Sequence, residues 1–182
     1  MSLGANLFAA NSVQIARPRC PLHPTTAFTL VSDTAYWVYL GYVADLATLA
    51  YVRFVVRTAG SGAQTAEVAF ASTPNHPNRG SQTLTKIVAS GSLDALTATG
   101  VRANSSSLAT ALTEPVHLWA GVRTAMATSQ PAVVGCMGDF SDGFVLETAA
   151  AGALTGSGPW TGSVPAFQAT APIAPYLIGA LT

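Results

Sequence analysis

Charge is what this sequence has least of. Charged residues make up 9% of its 182 positions, against about 25% in an ordinary soluble domain. Lys86 is its single lysine, and positive and negative groups cancel to a net charge of zero. Proteins that hold nucleic acid neutralise phosphates with clustered Lys and Arg, and no basic stripe exists here, so no nucleic-acid partner is expected. Cysteine is nearly absent as well. Cys20 and Cys136 are too few for a disulfide framework and read as thiols of a protein made in a reducing cytoplasm. Long apolar runs are missing: "AYWVYLGYVA" stops at Asp45, short of the roughly 30 Å of hydrocarbon that a helix must cross. No membrane partner is expected. At the N-terminus, "MSLGANLFAANSVQIARPRCP" puts Arg17 and Arg19 behind its apolar part, the reverse of a secretory signal, and none is expected. Helical periodicity is absent too, apart from "SLDAL", which suits a single turn.

What remains is apolar, rich in β-branched and aromatic residues, and punctuated by glycine and proline. Mean hydropathy is +0.39, and the stretch from Thr148 to Thr182 carries no charge. A soluble chain so poor in charge is weakly protected against association, which predicts that other subunits cover much of its surface. Short strand signals follow one another: "FTLVSD", "AYWVYLGYV", "LATLAYVRFVVR", "AQTAEVAFAS", "LTKIVASGSL", "GVRANSSSLATAL", "EPVHLWAGVRTAM", "PAVVGCMG", "FVLETA" and "APYLIGAL". In "YVRFVVR", Val52, Phe54 and Val56 fall on one face and Tyr51, Arg53, Val55 and Arg57 on the other, the period of a half-buried strand. Ala66, Val68 and Phe70 repeat the pattern after "GSG", whose glycines accept a tight turn. The pair reads as a hairpin with Glu67 opposite Val55. "GALTGSGPWTGSVPAF" reads as a glycine-rich loop carrying Trp160. The expected architecture is all-β, an antiparallel β-sandwich of jelly-roll type over residues 28–182. Residues 1–27 read as an extended N-terminal arm, because "ARPRCPLHP" is dense in proline.

Candidate chemistry is thin. Cys20 and His23 have half the spacing of a zinc site, but His76, His117 and Cys136 offer no second half at ligand spacing. Asp139 and Asp142 in "DFSDG" suit a turn better than a calcium loop, which needs more oxygen ligands at alternating positions. No nucleophile elbow is present, and nothing singles out Asp139, Asp142 or Glu147 as paired carboxylates. The chain is therefore expected to be no enzyme and to hold no cofactor or metal. Its aromatics are the stronger signal. In "YWVYL", Tyr36, Val38 and Leu40 share one face and Trp37 and Tyr39 the other. Both faces are bulky, so one of them should be covered by something besides the domain's own core. Partner contact is preferred there over core packing or glycan stacking. The residues put forward for a partner interface are Leu3, Leu7, Phe8, Arg17 and Arg19 of the arm, with Trp37, Tyr39 and Trp160.

"LAYVRFVVRTAGSGAQTAEVAFAS", "IVASGSLDALTATGVR" and "EPVHLWAGVRTA" also follow a recurring order. This order resembles jelly-roll domains of tailed-bacteriophage virion proteins: head decoration or cement proteins, head fibres and tail-fibre tips. The likeness spans about Leu46 to Ala127. It implies a sandwich fold and a place in the virion, and it carries over no catalytic residue. Only a short arm precedes the sandwich, which favours a capsid decoration (cement) protein on the head surface. Such a protein would be made in the host cytoplasm and bind the major capsid protein and neighbouring copies of itself as a homotrimer. A receptor- or glycan-binding fibre domain that touches a host glycan is the alternative.

Overall fold

A computed structural model of the chain describes residues 14–16, 26–32, 34–62, 64–76, 82–90, 94–104, 107–126, 128–137, 153–157, 163–164 and 173–182. Among these the only helical element is a 3-10 turn at Asp94–Thr97, inside "SLDAL". No helix among them is long and apolar enough to cross a membrane. Everything else regular is strand. In chain order come β1 (Gln14–Ala16), β2 (Thr26–Thr29), β3 (Thr34–Val43), β4 (Thr48–Thr58) and β5 (Gln64–Thr73). They are followed by β6 (Gln82–Thr83), β7 (Thr85–Ala89), β8 (Gly100–Ala103), β9 (Thr110–Ala111) and β10 (Val116–Met126). The last are β11 (Ala132–Met137), β12 (Ala153–Ser157), β13 (Ser163–Val164), β14 (Ile173–Pro175) and β15 (Ile178–Leu181).

The strands form two antiparallel sheets of the β-sandwich kind. One is five-stranded, in the order β12-β3-β10-β5-β7. The other is eight-stranded and built around β4. β15 and β11 share one edge of β4, and β8 and β9 share the other. β1 lies beyond β15, while β2 and β14 flank β11. β6 and β13 make a separate two-stranded pair.

Alternation explains the core. Val52, Phe54 and Val56 of β4 and Ala66, Val68 and Phe70 of β5 are buried in one cluster with Val38, Leu118, Val122 and Leu181. Each strand turns every second side chain inward, and the two sheets close over those faces. Gly179 of β15 shows how near the sheets come. A Cβ there would lie 2.8 Å from Leu40 Cδ1 and 3.0 Å from Phe70 Cε1.

Two expectations are corrected. β4 and β5 are not a hairpin: they belong to different sheets, and the "GSG" segment carries the chain across the sandwich. Both strands have one continuous apolar face, and facing each other lets each face cover the other. Glu67 accordingly lies opposite Arg123 of β10, and Val55 lies opposite Val101 of β8. The crossover is anchored where Gly60 N–H donates to the Leu96 carbonyl at 2.9 Å and Ser61 bridges to Ser129. The stretch read as a glycine-rich loop supplies β12, which pairs with β3, and β13. Within residues 1–27, Gln14–Ala16 is an edge strand on β15, and β2 begins at Thr26, two residues before the expected start of the sandwich. "FVLETA" lies outside the described residues.

Candidate functional site

The outward face of the five-stranded sheet is itself buried for much of its length. Ala35, Trp37, Tyr39, Ala69, Ala71, Trp119 and Leu84 form a second cluster there. The small side chains of β3 and β5 leave room for the two indoles and the phenol to lie over the sheet. Trp37 and Tyr39, put forward for a partner, are 7% and 9% exposed. The cover expected from outside is thus largely supplied within the chain, and little of either ring is left to offer a partner.

At the Val43 end of β3 this cluster changes character. β3 and β10 pair with a register shift, Leu118 opposite Gly41 but Trp119 opposite Tyr39. The extra residue in β3 makes a bulge, and Gly41 sits at φ +121°, a conformation only glycine takes readily. The bulge reverses the alternation. Leu40 and Val43 both point inward, while Tyr42 turns outward onto the same face as Tyr39 and is 59% exposed.

His117 pairs with Tyr42 across the sheet. Its Nδ1 lies 2.7 Å from the Tyr39 hydroxyl. The hydroxyl donates to Nδ1 when the ring proton is on Nε2, and accepts when Nδ1 carries it. The Tyr42 ring lies 5.0 Å from the His117 ring, centroid to centroid. His76, just beyond β5, meets Tyr39 edge-on at 5.3 Å and His117 edge-on at 5.8 Å. Its segment is fixed by a short relay: Trp119 Nε1–H donates to Thr73 Oγ1 at 3.1 Å, and that hydroxyl donates to the Asn75 carbonyl at 2.9 Å. Burial holds the His117 imidazole below its ordinary pKa, and the charge that His76 would carry pushes it the same way. Near neutral pH His117 is therefore an uncharged ring with hydrogen-bonding capacity, beside an exposed phenol.

Such an arrangement can stack on a flat or apolar ligand face, exchange hydrogen bonds with hydroxyl groups, and respond to acid. Among the described residues no three His, Cys, Asp or Glu side chains are grouped to hold a metal ion. Cys136 lies on β11 of the other sheet. Leu3, Leu7, Phe8, Arg17, Arg19 and Trp160, like Cys20, His23, Asp139, Asp142 and Glu147, lie outside the described residues. The His–Tyr cluster escaped the sequence reading because Tyr39 and His117 are 78 positions apart. The one local signal was Gly41 inside a strand pattern, where an isolated glycine points to a bulge.

No known family model, no curated protein and no solved structure matches the chain.

Proposed function

We propose that this chain is a structural protein of a bacteriophage virion: a jelly-roll capsid decoration protein that binds the outside of the shell as a homotrimer. The observation that carries the reading is where the phage-like segments fall. They become β4, around which the larger sheet is built, β10 and β5 inside the smaller sheet, and β7 and β8 beside them. The jelly-roll assignment is supported by the winding, in which late-coming β10 inserts between β3 and β5 while β8 and β9 return to β4. A charge-poor, rigid body suits a subunit whose surface is consumed by neighbours, and closed symmetric trimers fit the threefold positions of a shell. In this reading the chain is not an enzyme and its partners are the major capsid protein and its own copies.

Copy number in purified particles tests this. A decorating subunit should be present on the order of hundreds of copies per particle, because it follows the shell's symmetry. A handful of copies would transfer the chain to a fibre. The fibre alternative, a host-glycan or receptor binder, is favoured by one feature, the exposed Tyr42 ring beside His117 and His76. It predicts glycan binding that Tyr42→Ala abolishes.

A further inference from the structure

The fold brings His76 and His117 together edge-on, with ring centroids 5.8 Å apart. Both are half-buried, but the chain carries them differently. His117 sits inside β10, paired on one side with β3 and on the other with β5. His76 stands past the end of β5, where its ring meets Tyr39 edge-on at 5.3 Å. The chain is led there by the relay from Trp119 Nε1–H through Thr73 Oγ1 to the Asn75 carbonyl.

The groups that face His117 bring it no carboxylate. β3 presents the Tyr39 and Tyr42 phenols, and the segment after β5 presents His76. Along β10 the next side chain on this face is Trp119. Lys86 of β7, opposite Ala71, adds a cation to the same face. The Glu67–Arg123 pair is six residues further along β10, about 20 Å away. Asp45 and Glu114, which flank β3 and β10, are exposed and make no ion pair among the described residues. A proton on His117 thus meets burial and a second imidazole without a counter-charge. Its bond to Tyr39 survives protonation, because Nδ1–H can donate to the phenol oxygen. The ladder on both sides holds His117 in place. What can yield is the neighbour outside the ladder.

We propose that the segment from Pro74 to His76 is an acid-sensitive cover. It lies against Tyr39 while the two imidazoles are neutral and lifts away when they are protonated, leaving Tyr39 beside Tyr42 on an open aromatic face. Two imidazolium rings this close repel, and water solvates them better apart. The lifted form binds more protons than the closed one, so its population grows as pH falls. Every contact involved lies within the chain, so the proposal stands apart from the virion reading.

Trp119 Nε1–H reports the cover, since its acceptor Thr73 is at the root of the segment. In the full chain, NMR should show this proton exchanging with water at least about tenfold faster at about pH 5 than at about pH 7.5, after correction for the intrinsic rate at each pH. The midpoint should fall below about 6.5, and far-ultraviolet circular dichroism should not change. His117→Gln and His76→Gln, each checked for a cooperative thermal transition at neutral pH, should both keep the slow exchange in acid. Equal exchange at the two pH values in the wild-type chain would overturn the proposal. So would acceleration that persists in either glutamine variant, or acceleration accompanied by loss of the β-sheet signal, which would mark acid unfolding of the whole sandwich.

Discussion

Asn104 is one of few buried polar side chains among the described residues, 3% exposed, and replacing it should unsettle the centre of the eight-stranded sheet. Along one edge of β4, β8 pairs with Arg53–Val56 and β9 with Thr48 and Leu49. Between them the chain leaves the ladder, and the Asn104 amide takes its place. Its Oδ1 accepts from Val52 N–H at 2.9 Å and its Nδ2 donates to the Ala50 carbonyl at 3.0 Å. In Asn104→Ala, Val52 N–H is left in a buried strand without that acceptor, a loss of about 1–3 kcal/mol. The Ala50 carbonyl keeps Leu108 N–H at 2.9 Å, so its share is smaller, about 0.5–1 kcal/mol. The vacated volume adds a cavity term. A total of about 3 kcal/mol should lower Tm by roughly 6–12 °C in a chain of this size, read by calorimetry and by urea unfolding. Asn104→Asp sharpens the test. As a carboxylate it can accept from Val52 but meets the Ala50 carbonyl with no proton, and burial raises its pKa in the folded state. Its stability should be greatest below the unfolded value of about 3.9 and fall as pH rises through the folded one. An alanine variant within about 0.5 kcal/mol of wild type would show that the amide is not standing in for a strand.

Phe54, fully packed between the sheets, should lose about 3–5 kcal/mol on truncation to Ala, measured by denaturant unfolding. Gly41→Ala meets open space but a φ of +121°, so it should cost about 1–3 kcal/mol from backbone strain alone, and near-ultraviolet circular dichroism should report a moved Tyr42. Because the folded state holds His117 below its unfolded pKa of about 6.5, the unfolded chain binds more protons there. Stability should fall as pH drops through that window and level off below the folded pKa; His117→Gln should flatten this part of the unfolding profile, and an unchanged slope would remove His117 as its source.

Period-two alternation made the strands legible, because each half-buried strand writes its inward face into the sequence. Val52, Phe54, Val56, Val68 and Phe70 were identified this way and all are buried. Alternation says nothing about which strand lies beside which. A glycine turn between two apolar faces fits a hairpin and a crossing between sheets equally well, so β4 and β5 were paired wrongly. β12 went unseen because "ALTGS" lacks the bulky residues that mark a strand, its pairing being set by β3. Tyr39 and Trp37 were legible as a bulky second face, but the chain's own cover for it depends on contacts between segments far apart. The His117–Tyr42 arrangement required the bulge at Gly41, a backbone event with one glycine as its sequence trace.

β15 runs beside β4 near the middle of the larger sheet, and Thr182 clasps Thr48 through backbone bonds of 2.6 and 2.9 Å in the two directions. β10, likewise, must insert between β3 and β5. During synthesis, then, β4 emerges from the ribosome with one of its edges waiting for residues more than a hundred positions away. Such non-local closure is slow, on the order of milliseconds to seconds once the chain is complete. Until then the nascent protein exposes apolar faces and open strand edges with few like charges to keep copies apart. Its yield in the cell should therefore respond to chaperone supply and growth temperature more sharply than the stability of the finished fold would suggest.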